Sequence, residues 1–274
     1  MPPMLPIHVI NLDRAPDRLA AIAGQLEGFG LPWRRVAAID RLAVSDAFLA
    51  AEFGAGEFAR DFPATPGDMA CSLSHQALWR EIAAGAAEAA IVLEDDARLS
   101  EAFVRLAGAD VAGLMQRHGM GALKIEFWPG PQQSRRLPIG RDLGPITGEM
   151  RLYRMRSSFL GTCGYVLTAR AAADLLARFD RLGVPVDHFL FGRSAGRGFD
   201  LLRPGFVNPA PVLHDVETFG SDIRGERDAL DAAAAPRPIW RRIREHRLRK
   251  ALSAEQRRGE AQPVTMTFAG ATDD

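Results

Sequence analysis

Ala89-Ala90-Ile91-Val92-Leu93-Glu94-Asp95-Asp96 is an apolar run of strand length that stops abruptly in three carboxylates. An uninterrupted hydrophobic segment of this kind suits an interior strand of a parallel sheet, covered on both faces. Open α/β sheets bind ligands just beyond the carboxyl ends of such strands. Three acids crowded at that point repel one another unless a cation compensates, and a hard divalent ion with oxygen ligands is the natural candidate. The same acids could simply begin a polar turn, so the surrounding chain has to decide.

Working outward, residues 7–12 read as a first strand, and Leu19, Ile22, Leu26 and Phe29 follow at helical spacing with Pro16 suited to the first helical position. Residues 33–39 form a second strand ending at Asp40, which completes a βαβ unit. Arg14 and Arg18 sit after the first strand, where arginines can meet phosphate oxygens in forked geometry or remain solvated surface residues. A short helix is expected over 45–53. Thr65-Pro66-Gly67-Asp68 is a capping-box start to a helix whose Cys71, His75, Leu78 and Ile82 share one face. His75 on that face is a hydrogen-bonded core histidine in the plainer reading and a ligand in the sharper one.

Further along, the pattern predicts a helix over 103–116, a strand over 123–127 carrying Lys124 and Glu126, a strand over 164–167 and a helix capped by Thr168. The connection 128–156, with Arg135, Arg136, Arg141 and Arg151, is long for a compact domain, a feature associated with function or mobility, and a strand is expected within it over 152–155. Asp187 precedes an apolar stretch as a helix cap would, and residues 206–214 read as a last strand ending at His214. Residues 236–258 are rich in arginine around an apolar stripe of Ile239, Trp240, Ile243 and Leu248. Such a helix can lie on an anionic membrane surface, or pack on the domain with a solvated basic face. The expected division is therefore 1–228 and a helical extension 229–274 ending in a loose tail from 259.

Composition supports a globular core, with 47% hydrophobic and 25% charged residues, and zero net charge points away from a nucleic-acid partner. Cys71 and Cys163 lack metal-ligand spacing and read as thiols of a reducing compartment. The N-terminus has no signal-peptide pattern and no apolar run approaches the ~20 residues of a spanning helix. A cytoplasmic protein is expected, peripheral at most on the inner face of the membrane. The chain contains no GxGxxG, Walker or HExxH motif.

Three ordered stretches, Val9-Ile10-Asn11-Leu12-Asp13-Arg14 with Arg18, Gly67-Asp68-Met69-Ala70-Cys71-Ser72-Leu73-Ser74-His75, and the acidic run 91–96, resemble glycosyltransferase family 25. Gly161-Thr162-Cys163-Gly164-Tyr165-Val166-Leu167 and Pro185-Val186-Asp187 extend the similarity, which spans residues 6–225. This family comprises lipooligosaccharide galactosyltransferases and their collagen galactosyltransferase relatives. The resemblance implies a GT-A-type, Rossmann-like α/β fold: a mixed, mostly parallel sheet flanked by helices, here with a basic C-terminal helical segment. It implies an inverting transfer of a hexose, galactose foremost, from a UDP-sugar to a glycan or lipid-linked saccharide, with Mn²⁺ or Mg²⁺. Carried over, Asp96 is the main metal ligand and His214 a late-chain one. Asn11, Leu12, Arg14, Arg18, Asp40, Ser74, His75, Glu94 and Asp95 line the nucleotide-sugar pocket. Asp187 is the expected general base, with Glu126 in reserve.

Two other classes remain open on the sequence. A metal-dependent nucleotidyltransferase or phosphatase could use strand-end carboxylates, although a phosphatase wants a nucleophilic Asp where this chain has Asn11-Leu12-Asp13. A catalytically inactive nucleotide-sugar-binding module docked at a membrane is the third reading. Arginine and alanine abundance with only Lys124 and Lys250 as lysines suits a GC-rich bacterial source, and hence a cell-envelope glycan as acceptor.

Overall fold

The computed structural model describes residues 4–55, 61–128, 137–215 and 239–270, with Thr218 and Arg227. Arg135, Arg136 and Arg237, and the side chain of Trp240, lie outside the described residues. In chain order the elements are β1 (Ile7–Asn11), α1 (Pro16–Gly28), β2 (Trp33–Ala37), α2 (Asp46–Phe53), α3 (Pro66–Ala84), β3 (Ala89–Glu94) and β4 (Ala97–Leu99). Then come α4 (Glu101–Ala107), α5 (Val111–Arg117), β5 (Ala122–Lys124), β6 (Glu126–Phe127), β7 (Ile139–Thr147), β8 (Met150–Met155), β9 (Gly164–Thr168) and α6 (Ala169–Arg178). The chain continues through α7 (Val186–Phe191), α8 (Gly198–Leu202), β10 (Gly205–Asn208), β11 (Val212–His214), α9 (Ile239–Arg257) and β12 (Gln262–Pro263).

Nine strands form the main sheet in the order β12-β7-β8-β10-β5-β9-β3-β1-β2. β1 pairs in parallel with β2 and β3, and β5 with β10, while β9 enters antiparallel between β3 and β5. Following the pairings across, β1, β2, β3, β5, β7 and β10 run one way and β8, β9 and β12 the other. The expected mixed α/β sheet, with most strands sharing a direction, is what forms. β3 is interior and its side chains alternate between two cores. Ala90 and Val92 join α3, α6 and α7 on one face; Ala89, Ile91 and Leu93 join α1, α4 and α5 on the other. By the same alternation Glu94 points to the α3 side.

A small second sheet, β4-β11-β6, explains where two expected strands went. The stretch 123–127 splits at Ile125, whose N–H donates to the Gly164 carbonyl, so β5 stays in the main sheet and β6 leaves it. The stretch 206–214 splits likewise into β10 and β11 across Pro209 and Pro211, residues without an N–H for a ladder. Register then sets His214 opposite Ala97, beside Asp96. The single helix expected over 103–116 is two, because Asp110 caps a fresh helix by accepting from Gly113 N–H at 2.9 Å.

Two expectations about the later chain are corrected. Much of the long connection 128–156 is the β7–β8 hairpin, in which Arg151 pairs with Asp142 at 2.7 Å. The tail is not loose over its described part: β12 pairs with β7, and just beyond it Val264 and Met266 enter the core. α9 lies against the domain, with Arg156 forked on Glu255 and Arg241 over the Phe62 ring at 4.4 Å. Among the described residues no helix is long and apolar enough to cross a membrane.

The helix that carries His75 starts on a complete capping box, in which Thr65 Oγ1 accepts from Asp68 N–H at 3.1 Å and Asp68 Oδ2 from Thr65 N–H at 3.0 Å. Thr65→Ala should lower unfolding stability by about 1 kcal/mol. The midpoint of urea unfolding, with the slope unchanged, reads this directly.

Candidate active site

The carboxyl ends of β1 and β3, the turn after β2 and the start of α3 surround one cleft. It is closed on the far side by residues 161–162, by the start of α7 and by His214. The carboxyl-end placement follows from parallel strands delivering polar turns at one edge. Asn11, Leu12, Arg14, Arg18, Asp40, Ser74, His75, Glu94, Asp95, Asp96, Asp187 and His214 all line this cleft. Glu126 does not. Its strand turns it inward, where it is almost fully buried and paired with the buried Lys124.

The acidic tip is held from several sides. Asn11 Nδ2 donates to Asp95 Oδ2 at 2.7 Å, while Arg35 Nε donates to Asn11 Oδ1 at 2.9 Å and fixes the amide. Arg18 lies against Asp95 and, at 3.2 Å, against Asp96. His214 Nε2 meets Asp96 Oδ2 at 3.1 Å and the Cys163 thiol donates to Asp96 Oδ1 at 3.5 Å. Glu94 accepts from Thr162 Oγ1 at 2.6 Å and meets His75 Nε2 at 3.2 Å. Arg18 and His214 thus set positive charge against the acidic tip.

Protonation follows from these partners. Burial opposes the charges on Glu94 and Asp96, yet His75 holds Glu94 below the usual carboxylate range, and His214 with Arg18 does the same for Asp96. Burial wins at Asp95 and raises it, despite the pull of Arg18 and Asn11 the other way. Burial also disfavours the His214 cation, but Asp96 outweighs it and pushes His214 up to about 9.

His75 is fully buried and serves as a core histidine and a cleft residue at once. Trp79 Nε1 donates to Tyr165 Oη at 2.9 Å, which frees the phenol proton for His75 Nδ1, also at 2.9 Å. The imidazole then carries its proton on Nε2 and donates it to Glu94. Cys71, His75 and Glu94 bring potential ligand atoms within 4.8 Å of one another. That tautomer, however, occupies the nitrogen a metal would need. Ser74 is committed to the backbone as well: its Oγ donates to Ala70 O and accepts from Ile39 N–H, both at 2.8 Å, which ties the end of β2 to α3.

Asp96 with His214 is the better metal pair. Carboxylate oxygens and an imidazole nitrogen converge there, and His214 Nδ1 is buried with no partner among the described residues. Such a set suits a divalent ion that competes with the shared proton. Where the turns after β1 and β2 meet the cleft, Arg14 Nε pairs with Asp40 Oδ2 at 2.9 Å. Asp187, in the first turn of α7, accepts from His188 N–H at 2.7 Å. Arg227, missed in the sequence, reaches the same wall and pairs with Asp68 at 2.7 Å. Burial works against its charge, but Asp187 and Asp68 raise its pKa.

Comparison with known proteins points one way. The sequence profile described as "Glycosyltransferase family 25 (LPS biosynthesis protein)" matches residues 4–114. A "Glycosyltransferase 25 family member" from Aedes aegypti is 29% identical over 191 residues, 67% of this chain and 30% of that protein. One from Anopheles gambiae is 29% identical over 192 residues, 67% of this chain and 31% of that protein. "Procollagen galactosyltransferase 1-B" from Xenopus laevis is 32% identical over 130 residues, 47% of this chain and 20% of that protein. The chain spans less than a third of the length of these relatives.

The His214–Asp96 pair makes stability depend on pH in a definite direction. With the folded pKa raised from 6.5 to about 9, the contribution of protonated His214 is complete below 6.5 and lost as pH rises through 9. In chelator-treated protein the melting temperature should fall across that window. His214→Gln should flatten that part of the profile.

Proposed function

Taking the chain as kin of glycosyltransferase family 25, we propose that it moves a hexose, galactose foremost, from a UDP-sugar to a hydroxyl of a saccharide acceptor. The reading has the transfer inverting and metal-dependent. The observation that carries it is the gathering of strand-tip carboxylates, paired arginines and Asp187 in one cleft at the carboxyl end of β3.

In this mechanism Asp96 and His214 would hold Mn²⁺ or Mg²⁺, and the ion would supply positive charge for the departing diphosphate. Arg14 and Asp40 take the nucleoside end of the donor. Arg18, already between the acidic tip and the cleft, turns part of its guanidinium to phosphate oxygen. Asn11, through Arg35 on one side and Asp95 on the other, keeps the tip from rotating as the donor enters. Asp187 removes the acceptor proton while the acceptor oxygen bonds to the anomeric carbon and the bond to the diphosphate oxygen breaks. The backbone hydrogen bond from His188 fixes the orientation of this carboxylate. Asp187 serves as base rather than Glu126, because Glu126 is spent on Lys124 away from the cleft. A phosphatase reading finds no support in Asp13, which is solvent-exposed and turned to Arg35.

The family description names lipopolysaccharide biosynthesis and one relative is named for procollagen, while the relatives compared are animal proteins. We favour an envelope glycan, and test both acceptor classes. The proposal includes a peripheral site at the inner face of a membrane. The outward side of α9 presents Arg242, Arg247, Arg249, Lys250 and Arg257, with exposed Ile239 and Ile243 at its start. Such a face is attracted to anionic lipid.

UDP-galactose, UDP-glucose and UDP-N-acetyl sugars, each with Mn²⁺, should be assayed against lipooligosaccharide and collagen peptide acceptors. Asp96→Asn should abolish transfer, and wild-type turnover in that variant would remove the metal role. Asp187→Asn should lower kcat by about 10²–10⁴-fold with little change in donor KM. Vesicles containing phosphatidylglycerol should sediment the protein at low salt. Arg247→Glu with Arg249→Glu should release it, whereas equal binding to neutral vesicles would argue against the lipid reading.

A further inference from the structure

Behind the cleft wall lies a buried ion pair that the transfer chemistry does not use. Lys124, the last residue of β5, and Glu126, the first of β6, stand on either side of Ile125 in one stretch of chain, and both are almost fully buried. Lys124 Nζ pairs with Glu126 Oε1, donates to the Gly161 carbonyl at 2.7 Å, and lies over the rings of Phe159 and Phe191 at 4.8 and 5.2 Å. Glu126 Oε2 is buried without a partner among the described residues. An ion pair in such a place stabilises a fold little better than apolar side chains of equal volume. Its placement therefore calls for another reason.

That reason is visible in what Gly161 leads to. Residues 161–163 form a strap across the acidic tip. Thr162 Oγ1 donates to Glu94 at 2.6 Å, the Cys163 carbonyl accepts from Glu94 N–H at 2.9 Å, and the Cys163 thiol reaches Asp96. Gly161 itself has φ of +111°, and a Cβ there would collide with the Glu126 carboxylate. The strap is thus pressed against the ion pair with no room for a side chain between, and Lys124 grips it by its carbonyl.

We propose that Lys124 and Glu126 are positioning residues: the pair clamps the Gly161 carbonyl and so holds the 161–163 strap that orients Glu94 and Asp96. Glu126 aims the Lys124 ammonium; Lys124 transmits the hold through its hydrogen bond to the Gly161 carbonyl. The effect on turnover rests on the glycosyl-transfer reading above, whereas the effect on the strap does not.

The test separates the two. Lys124→Met alone leaves Glu126 without its buried partner, so the decisive variant is Lys124→Met with Glu126→Met, which removes both charges and the Lys124 donor to Gly161. Hydrogen exchange of the 161–164 amides, thermal melting and UDP-sugar turnover are measured on it. The double variant is expected to fold and to exchange the strap amides about tenfold faster, as a local opening that has lost its tether. Its kcat should fall about tenfold or more, with donor KM within about threefold, as for a misplaced constellation. Thr162→Val, which cuts the Thr162 side chain from Glu94, should lower kcat comparably and add little when combined with the double variant, because both act on the one strap. Unchanged strap exchange, additive losses, or failure of the double variant to fold would each overturn the proposal, the last by showing that the pair holds the core. Faster strap exchange in a protein whose wild type transfers no sugar would keep the clamp and sink the transfer reading.

Discussion

The arrangement depends on keeping three carboxylates ionisable at the end of one buried strand. Coulomb repulsion between groups so close is worth several kcal/mol at the effective dielectric of a protein surface, and more where water is excluded. The chain answers with the charges of Arg18 from α1 and His214 from β11 and with a hydrogen bond from His75 of α3, elements far apart in sequence that converge on residues 94–96. Each of these partners also carries structure. Arg18 fixes the first turn of α1 to β3, His75 continues a hydrogen-bonded chain into the core through Tyr165 and Trp79, and His214 pins the small sheet to the large one.

The convergence needs the two sheets to meet where they do. Ile125 donates to Gly164 and accepts from Val212 N–H, so the same residue at which one strand leaves the main sheet also receives the strand that brings His214. Gly164 has no room for a side chain there: a Cβ would press on Val212 and Glu126. The glycine-rich stretch 161–164 thus serves two purposes, a tight crossing of sheets and a strap over the acidic tip.

Much of this was legible in sequence, for reasons that differ by residue. The 89–96 run, the βαβ unit, the capping box at Thr65 and the cleft residues Arg14, Arg18 and Asp40 announce themselves through local signals: apolar runs, caps and positions just after strands. Arg35, Thr162 and Arg227 were missed because their roles exist only through register and tertiary approach. Glu126 misled as the reserve base, because an acid on a strand near the site gives no sign that Lys124, two residues earlier, takes it up inside. The split of 206–214 could have been read from Pro209 and Pro211. The packing of Val264 and Met266 could not, because two residues of edge strand leave too short a pattern.

The pairing of β12 with β7 has a mechanical corollary. α9 is secured at Glu255 by Arg156, and the chain that follows it is stitched to the rim of the main sheet through β12, two ties that resist swivelling. A surface that holds its outward arginines therefore dictates the attitude of the whole molecule, and with it the bearing of the cleft mouth. Aim, in this protein, is built into the skeleton.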